Sequence, residues 1–586
     1  MKKALGRFCC VLVLVAACAP ARAQFVADAW VPAGSQPPIS LRVIDPVNGD
    51  IEFKPVHATL LPLGERGRVM LFATVGVHAR AAWFDPAPIG GALSSPFYLN
   101  PDRVPVDRDP PITMNLGTWQ YHEEETIFCS GHTLDSQGGI FVAGGTWFYS
   151  WRNLLTGESI GWIYGLPYTT RHSVQTGLWS RGDNMRGVGE TGSNRRWYGT
   201  VTRLGDERML VSSGFELADI QTRAPGGAVG HHGTTTNRSI EIMLPGGGGM
   251  VVSQHGETPR AIWNPDYTHV FQMPYGPADG VPANTILMFG DAGIPVWFLP
   301  DQPEGARWFP ISSAPRPGAP GVDAPNHGTA SVLLPLRQPN GAWGYVNGSV
   351  LQAGGARGST MERSISIFEM SSTTWWNGDL GVRRRFPATV LLPDGKVMVV
   401  SGYDYNPVGQ NPFLRNAHYL DLGDPAAPFA TGSAASGEIR GYHNVALLLP
   451  DGRVLIAGGR SGGSAQGDPE DEKPNFRYLH PPYLASGAAR PSITNAPQTI
   501  GYGSNFTVGV NGGPVSEVVL MGLGSMTHAI DMNQRYVQLA ATPQGASAVQ
   551  VTGPANVQTA PPGYYMLFVL NQNRIPSVAR FVRVAP

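Results

Sequence analysis

Four cysteines occur in the 586 residues, and their positions decide what sulfur chemistry the chain can do. Cys9, Cys10 and Cys18 fall within residues 1–23, which read as a secretory leader. Lys2, Lys3 and Arg7 supply its positive end, Phe8 to Ala17 its apolar run, and Ala21-Arg22-Ala23 its cleavage signature. Cleavage before Gln24 leaves Cys129 as the one thiol of the mature chain. A disulfide scaffold is thereby excluded, and a lone thiol in an oxidising compartment needs either burial as a small hydrophobe or a chemical partner. Val15-Ala16-Ala17-Cys18 also resembles a lipoprotein box, so a lipid anchor at Cys18 is the alternative to plain cleavage. Other clusters promise less. His122-Glu123-Glu124-Glu125 lacks the spacing of a zinc helix and reads as a solvated loop before Cys129. His231-His232 sits in a glycine-rich loop, Gly246 to Gly249 lacks the Lys-Ser/Thr of a phosphate loop, and Asp468 to Lys473 reads as a solvated charged loop.

The elements that must position Cys129 are short strands. The chain holds 74 Gly and 52 Pro, which disfavours helical architectures, yet 42% of it is hydrophobic, too much for a disordered chain. One pattern recurs: an apolar run, a turn, a second apolar run, then glycine. The clearest copies run from Pro387 to Gly402 and from Tyr442 to Gly459, with Asp394-Gly395 and Asp451-Gly452 as hairpin turns. About seven copies end near Leu484, and a hairpin alone cannot bury its faces, so the copies must pack around a common axis. The expected fold class is all-β: a seven-bladed kelch-type β-propeller over residues 24–486, then an immunoglobulin-like β-sandwich over 487–586. The formal net charge of −1 gives no footprint for nucleic acid, and no second apolar stretch suggests a membrane span. Leader and composition together point to a secreted or periplasmic protein of bacterial type.

Several motifs, in order, make the chain similar to a known family. They are Phe128-Cys129-Ser130-Gly131, Arg195-Arg196-Trp197-Tyr198, Arg440-Gly441-Tyr442-His443, Gly524-Ser525-Met526-Thr527-His528, and the run Pro562 to Ala579. This arrangement resembles the copper radical oxidases, the galactose oxidase and glyoxal oxidase family, over roughly Phe128 to the C-terminus. The resemblance implies one copper ion with Tyr198, His443 and His528 as equatorial ligands and Tyr442 as axial ligand. It further implies a thioether joining Cys129 to Tyr198, a self-derived radical cofactor. Imidazole and oxygen ligands suit Cu(II). The implied reaction oxidises a small aldehyde, as its hydrate, or a primary alcohol and reduces O2 to hydrogen peroxide. The sandwich would supply one copper ligand, His528.

Departures from the family pattern shape the remaining expectations. The interval from Cys129 to Tyr198 exceeds one kelch unit, and Trp151 to Arg186 reads as an excursion that could wall the substrate site. The stretch Val211 to Glu216 lacks the tryptophan that stacks on the thioether in galactose oxidases, leaving Phe215 or Trp147 as candidate stacking rings. Residues 24–56 are too few for a separate carbohydrate-binding domain, which favours the glyoxal oxidase side. Galactose oxidase-like oxidation of sugar alcohols, and a non-catalytic kelch protein binding a glycan or surface partner, are the alternatives. A monomer is expected.

Overall fold

The computed structural model describes residues 24–31, 37–45, 48–73, 81–108, 111–187, 189–223, 229–232, 234–245, 267–290, 294–303, 306–311, 328–341, 344–357, 360–361, 363–404, 412–423, 429–460 and 472–586. The leader with Cys18, Gly246 to Gly249 and most of the stretch from Asp468 lie outside these residues, as do the side chains of His231 and His232. Strands dominate; the α-helix among the described residues is the single turn Pro482–Ala485.

Among the described residues, the repeated sequence pattern becomes seven antiparallel meanders. Their first strands are Pro55–Leu61, Gly131–Leu134, Thr200–Arg203, His269–Gln272, Thr329–Leu333, Ala388–Leu391 and Asn444–Leu448. All but His269–Gln272 are buried on both faces, which is why strands such as Ala388–Leu391 and Asn444–Leu448 read as unbroken apolar runs rather than alternating ones. Each fully buried Val or Leu contributes about 1.5–3 kcal/mol of transfer free energy. Asp394-Gly395 joins Ala388–Leu391 to Val397–Val400, and Asp451-Gly452 joins Asn444–Leu448 to Val454–Gly458. The turn glycines adopt φ of 76° and 87°, a region open to Gly without penalty.

The first strands lie side by side in two runs. Gly131–Leu134 lies against Thr200–Arg203, which lies against His269–Gln272; Thr329–Leu333 lies against Ala388–Leu391, then Asn444–Leu448, which returns against Pro55–Leu61. The last meander takes its outer strand from the start of the chain: Asn475–His480 pairs with Ile39–Asp45 and with Ala29–Val31.

Three of these units share a buried anchor. Arg196, Arg384 and Arg440 are each 2% exposed or less. Their guanidinium groups donate to backbone carbonyls: Arg196 to Ser213 and Ser239, Arg384 to Leu414 and Asn416, Arg440 to Gly458 and Asn475. Two residues after each arginine comes an aromatic ring, Tyr198, Phe386 or Tyr442. The anchor therefore fixes where that ring enters the interior.

Beyond Pro491 two sheets pack face to face, one built on Asn505–Asn511 and Ala548–Thr552, the other on Val515–Gly522 and Gly563–Asn571. A hairpin leaves the second sheet: Ser525–Thr527 pairs antiparallel with Pro55–Leu61, and Ile530 pairs parallel with Ser331. Asp531 pins this hairpin, its Oδ1 accepting the N–H groups of Ser525, Asn533 and Gln534 at 2.9, 3.0 and 2.9 Å. The C-terminal unit thus inserts two short strands between first strands of the meanders.

Two local expectations change. His122 to Glu125 is no solvated loop. It lies in the strand Trp119–Thr126, with Glu123, Glu124 and Glu125 buried. Their burial is supported by partners: Glu123 accepts from Arg108, Tyr121 and Trp147, and Glu125 from Tyr168. The excursion is likewise a sheet. Trp119–Thr126, Thr146–Asn153, Ser159–Gly165 and Phe215–Arg223 form it, whereas Tyr168–His172 and Trp179–Asn184 are outer strands of the second meander.

Candidate active site

Each residue singled out from the sequence stands immediately before an inner strand or at the hairpin tip, and four of the five are kinked. Cys129, Tyr198, His443 and His528 have φ of 58°, 65°, 68° and 48°. Such left-handed geometry costs an L-residue about 1–2 kcal/mol and persists only where its surroundings over-determine it. Here cross-ties do so. Tyr198 N–H donates to Cys129 O at 2.8 Å, and Tyr267 N–H to Tyr198 O at 2.9 Å. Cys129 N–H donates to the Nε2 of His57 at 2.8 Å.

These ties bring the five residues together, all 5% exposed or less. The donor atoms of Cys129, His443 and His528 lie within 4.8 Å of one another. Cys129 Sγ is 3.6 Å from His528 Nε2. The Tyr198 ring centroid is 4.6 Å from that of His528, and Tyr442 is 3.8 Å from His443 and 5.1 Å from His528. His443 and His528 rings stand nearly perpendicular, 4.6 Å apart.

The histidines are held from their far sides. His528 Nδ1 shares a hydrogen bond with Thr527 Oγ1, and His443 Nδ1 with a carboxylate oxygen of Glu472. The Nε2 of His443 has no protein partner although it is buried. Burial holds both imidazoles well below their usual pKa, His528 additionally through His443 and His443 through Arg460, so both are neutral with a lone pair to offer. Burial raises the Tyr442 phenol well above its usual value, the Cys129 side reinforcing it and Arg460 opposing. An orphaned imidazole nitrogen, a second imidazole, a sulfur and two phenols form a donor set that fits a copper ion.

The structure adds four residues the sequence reading overlooked. Trp197 stacks on Tyr198 with centroids 3.7 Å apart and planes 11° from parallel. Its Nε1–H donates to Thr146 Oγ1 at 2.9 Å, and Thr146 Oγ1–H in turn donates to Phe128 O at 2.7 Å. Phe215 instead lies 6.0 Å from Trp197, and Trp147 sits among Tyr149, Tyr164 and Arg195 in the added sheet. The stacking ring is therefore the residue next to Tyr198, available from the motif itself. Tyr267 also stacks on Tyr198, at 4.9 Å, and lies 4.8 Å from His528. His57 and Glu472 are the other two. His57 carried no local signal beyond opening an apolar strand, and Glu472 was hidden in a charged stretch.

Residues 490–584 match the galactose oxidase-like early set domain. A WSC domain-containing protein of Arthroderma benhamiae is 27% identical over 88% of this chain and 51% of its own length. The aldehyde oxidase GLOX1 of Arabidopsis thaliana is 24% identical over 67% of this chain and 64% of its own. A galactose oxidase of Gibberella zeae is 30% identical over 41% and 36%. The chain thus spans about half to two thirds of the first two relatives. All three come from fungi or a plant, so they lend the expected bacterial origin no support. The fold is that of a solved fungal alcohol oxidase of the AA5 family in complex with copper, with a TM-score of 0.65, 18% identity, and coverage of 96% of this chain and 100% of that one. No helix among the described residues is long and apolar enough to cross a membrane. The chain is thus similar in sequence to galactose oxidases and aldehyde oxidases, matches the galactose oxidase-like early set domain over residues 490–584, and shares the fold of a copper-bound alcohol oxidase of the AA5 family.

Proposed function

We propose that this protein is a secreted copper radical oxidase that converts a small primary alcohol or aldehyde hydrate with O2 into the carbonyl product or acid and hydrogen peroxide. The observation that carries the reading is the convergence of Cys129 Sγ, His443 and His528 within 4.8 Å, beside the stacked Tyr198. Tyr198, Tyr442, His443 and His528 would hold the ion, and bound copper would supply a one-electron couple and a site for the substrate oxygen. The chain does the rest. Cys129 Sγ bonds to the Tyr198 ring, the S–H and ring C–H hydrogens leaving as two protons and two electrons taken by O2. The sulfur makes Tyr198 easier to oxidise, and the Trp197 stack shields the resulting phenoxyl. With copper bound, Tyr442 would stand as a tyrosinate despite its burial, and its Oη would accept the substrate hydroxyl proton. Tyr198 takes a hydrogen atom from the substrate carbon.

We take the substrate to be small, because the side chains packed around the site are apolar. Phe128, Ala330, Phe386, Ile439 and Met532 pack around the cluster with Trp197 and Phe215. Apolar walls exclude water and offer few partners to a polyhydroxylated sugar. We read the seven meanders as blades of a kelch-type propeller over 24–486 and the two packed sheets of 487–586 as an immunoglobulin-like sandwich, with residues 1–23 removed on export and the chain acting as a monomer.

Intact mass and thiol alkylation after loading with copper in air test the reading. The expected result is the loss of two hydrogens with Cys129 unreactive after denaturation, and peroxide release with small aldehydes or alcohols in a coupled screen. An unshifted mass with a freely alkylated Cys129 would sink it and favour a non-catalytic kelch binding protein.

A further inference from the structure

The charged stretch ending at Lys473 holds one residue whose placement a solvated loop does not explain. Glu472 has a side chain 1% exposed. A buried carboxylate is costly unless it is paired and hydrogen-bonded. Its Oε1 accepts from Arg460 Nε at 2.6 Å and also meets His443 Nδ1. The backbone is fixed as well: Arg460 and Glu472 form an antiparallel bridge, Lys473 N–H donates to Gly459 O, and Arg460 N–H donates to Tyr442 O at 2.9 Å. The Arg460 guanidinium carbon lies 5.3 Å from the Tyr442 ring centroid. One carboxylate and one guanidinium thus stand behind two adjacent residues of the site.

We propose that Glu472, braced by Arg460, is a positioning residue that holds His443 in the Nδ1–H tautomer, with the Nε2 lone pair aimed at copper, and strengthens that lone pair as a donor. The inference rests on the copper reading above. Its geometric basis is that one His443 nitrogen meets a carboxylate while the other is buried and unpartnered. A neutral imidazole with its proton on Nδ1 can bind a metal only through Nε2, and a carboxylate behind the N–H raises ligand basicity. His528 is served differently: Thr527 Oγ1 backs its Nδ1, a neutral partner that orients the ring with no charge behind it. The two imidazoles are accordingly unequal donors, His443 the stronger.

The test uses the full mature chain with Glu472→Gln and Glu472→Ala. Gln keeps an acceptor and drops the charge, which separates orientation from basicity; Ala drops both. Cu(II) affinity is measured by competition with a chelator of known strength, alongside the Cu(II) electron paramagnetic resonance spectrum and the circular dichroism of the metal-free proteins. The expected result is affinity weakened about 10- to 100-fold in Glu472→Ala and by less in Glu472→Gln, with altered copper spectra and an unchanged fold. If the alanine variant does not fold, the glutamine variant decides. Folded variants that bind copper as tightly as the parent, with the parent spectrum, overturn the inference and leave the copper reading standing. A parent chain that binds no copper overturns both.

Discussion

Replacing His57 by Leu addresses how Cys129 is aimed at Tyr198. In the folded chain Cys129 N–H donates to His57 Nε2 at 2.8 Å, and both residues are 0% exposed. Leucine fills much of the ring volume but accepts no hydrogen bond. The Cys129 N–H would then be a buried orphan, which costs about 1–3 kcal/mol. Its φ of 58° already sits in a costly region, so relief comes by leaving that conformation. A penalty of that size lowers the population of the aimed conformer roughly 5- to 150-fold. Overall stability should move less, because His57 Nδ1 is itself buried without a partner and leaves with the ring. The assay must therefore read Cys129 and not the melting temperature: the rate at which intact mass falls by two hydrogens after copper and oxygen are added. We expect His57→Leu to slow that rate by a factor in this range, and His57→Gln, whose amide oxygen can accept the same N–H, to recover most of it. An unchanged rate in a folded His57→Leu protein would refute the claim that this hydrogen bond aims the thiol.

Three further outcomes are expected. Trp197→Ala removes a ring stacked 3.7 Å from Tyr198; with such pairs contributing about 0.5–1.5 kcal/mol, the oxidised Tyr198 signal should decay about 2- to 10-fold faster, Trp197→Phe lying between, as followed by optical or paramagnetic decay. His132 is fully buried, and burial lowers its pKa from 6.5 to about 3. In that window the unfolded chain carries a proton the folded chain lacks, so this residue makes stability fall by about 1.4 kcal/mol per pH unit below 6.5. His132→Gln should flatten the pH dependence of the urea midpoint there, and an identical slope would count against this assignment. Arg196→Met leaves Glu241 without its cation in a pair 0% exposed on both sides, for an expected loss of about 3–5 kcal/mol in urea unfolding; a loss near zero would contradict the anchoring role of this arginine.

The sequence showed the strands and the proposed site residues more clearly than what holds them. Hairpins around Asp394-Gly395 and Asp451-Gly452 were legible because turn chemistry and two-sided burial both act over a few neighbouring residues. Cys129, Tyr198, Tyr442, His443 and His528 were legible through motif order. Glu472 was not, because its role depends on a contact with His443 across 29 positions, and in sequence it is one charge among several. His57 was missed for the same reason, its partner Cys129 being 72 positions away. Trp197 was overlooked for a different reason. In a regular strand neighbouring side chains point apart, which argues against Trp197 and Tyr198 stacking. The φ of 65° at Tyr198 breaks that alternation and lets adjacent rings lie parallel. The triple glutamate was misread because composition suggests solvent, whereas Arg108, Tyr121, Trp147 and Tyr168 provide hydrogen-bond donors from three other segments and its own strand.

The kinks themselves are a property of the fold before they are a property of the site. Phe386, Ser213 and Ser401 adopt φ of 53°, 62° and 63° at corresponding edges of meanders that supply none of the five site residues from those positions. Glycine would take such geometry at least cost, and Gly214, Gly354, Gly402 and Gly458 do so beside them. A glycine, however, carries no sulfur, phenol or imidazole. Placing Cys129, Tyr198 and His443 at these points gives up about 1–2 kcal/mol each in exchange for side chains that leave the strand direction toward a common centre. The arginine anchors and the bonds from His57, Tyr267 and Tyr198 supply the compensation locally. His528 cannot arrive this way, since the first strands of the meanders already line the interior. It comes instead on the hairpin that pairs with Pro55–Leu61 on one side and Ser331 on the other, which makes the C-terminal unit part of the centre and not an appendage to it.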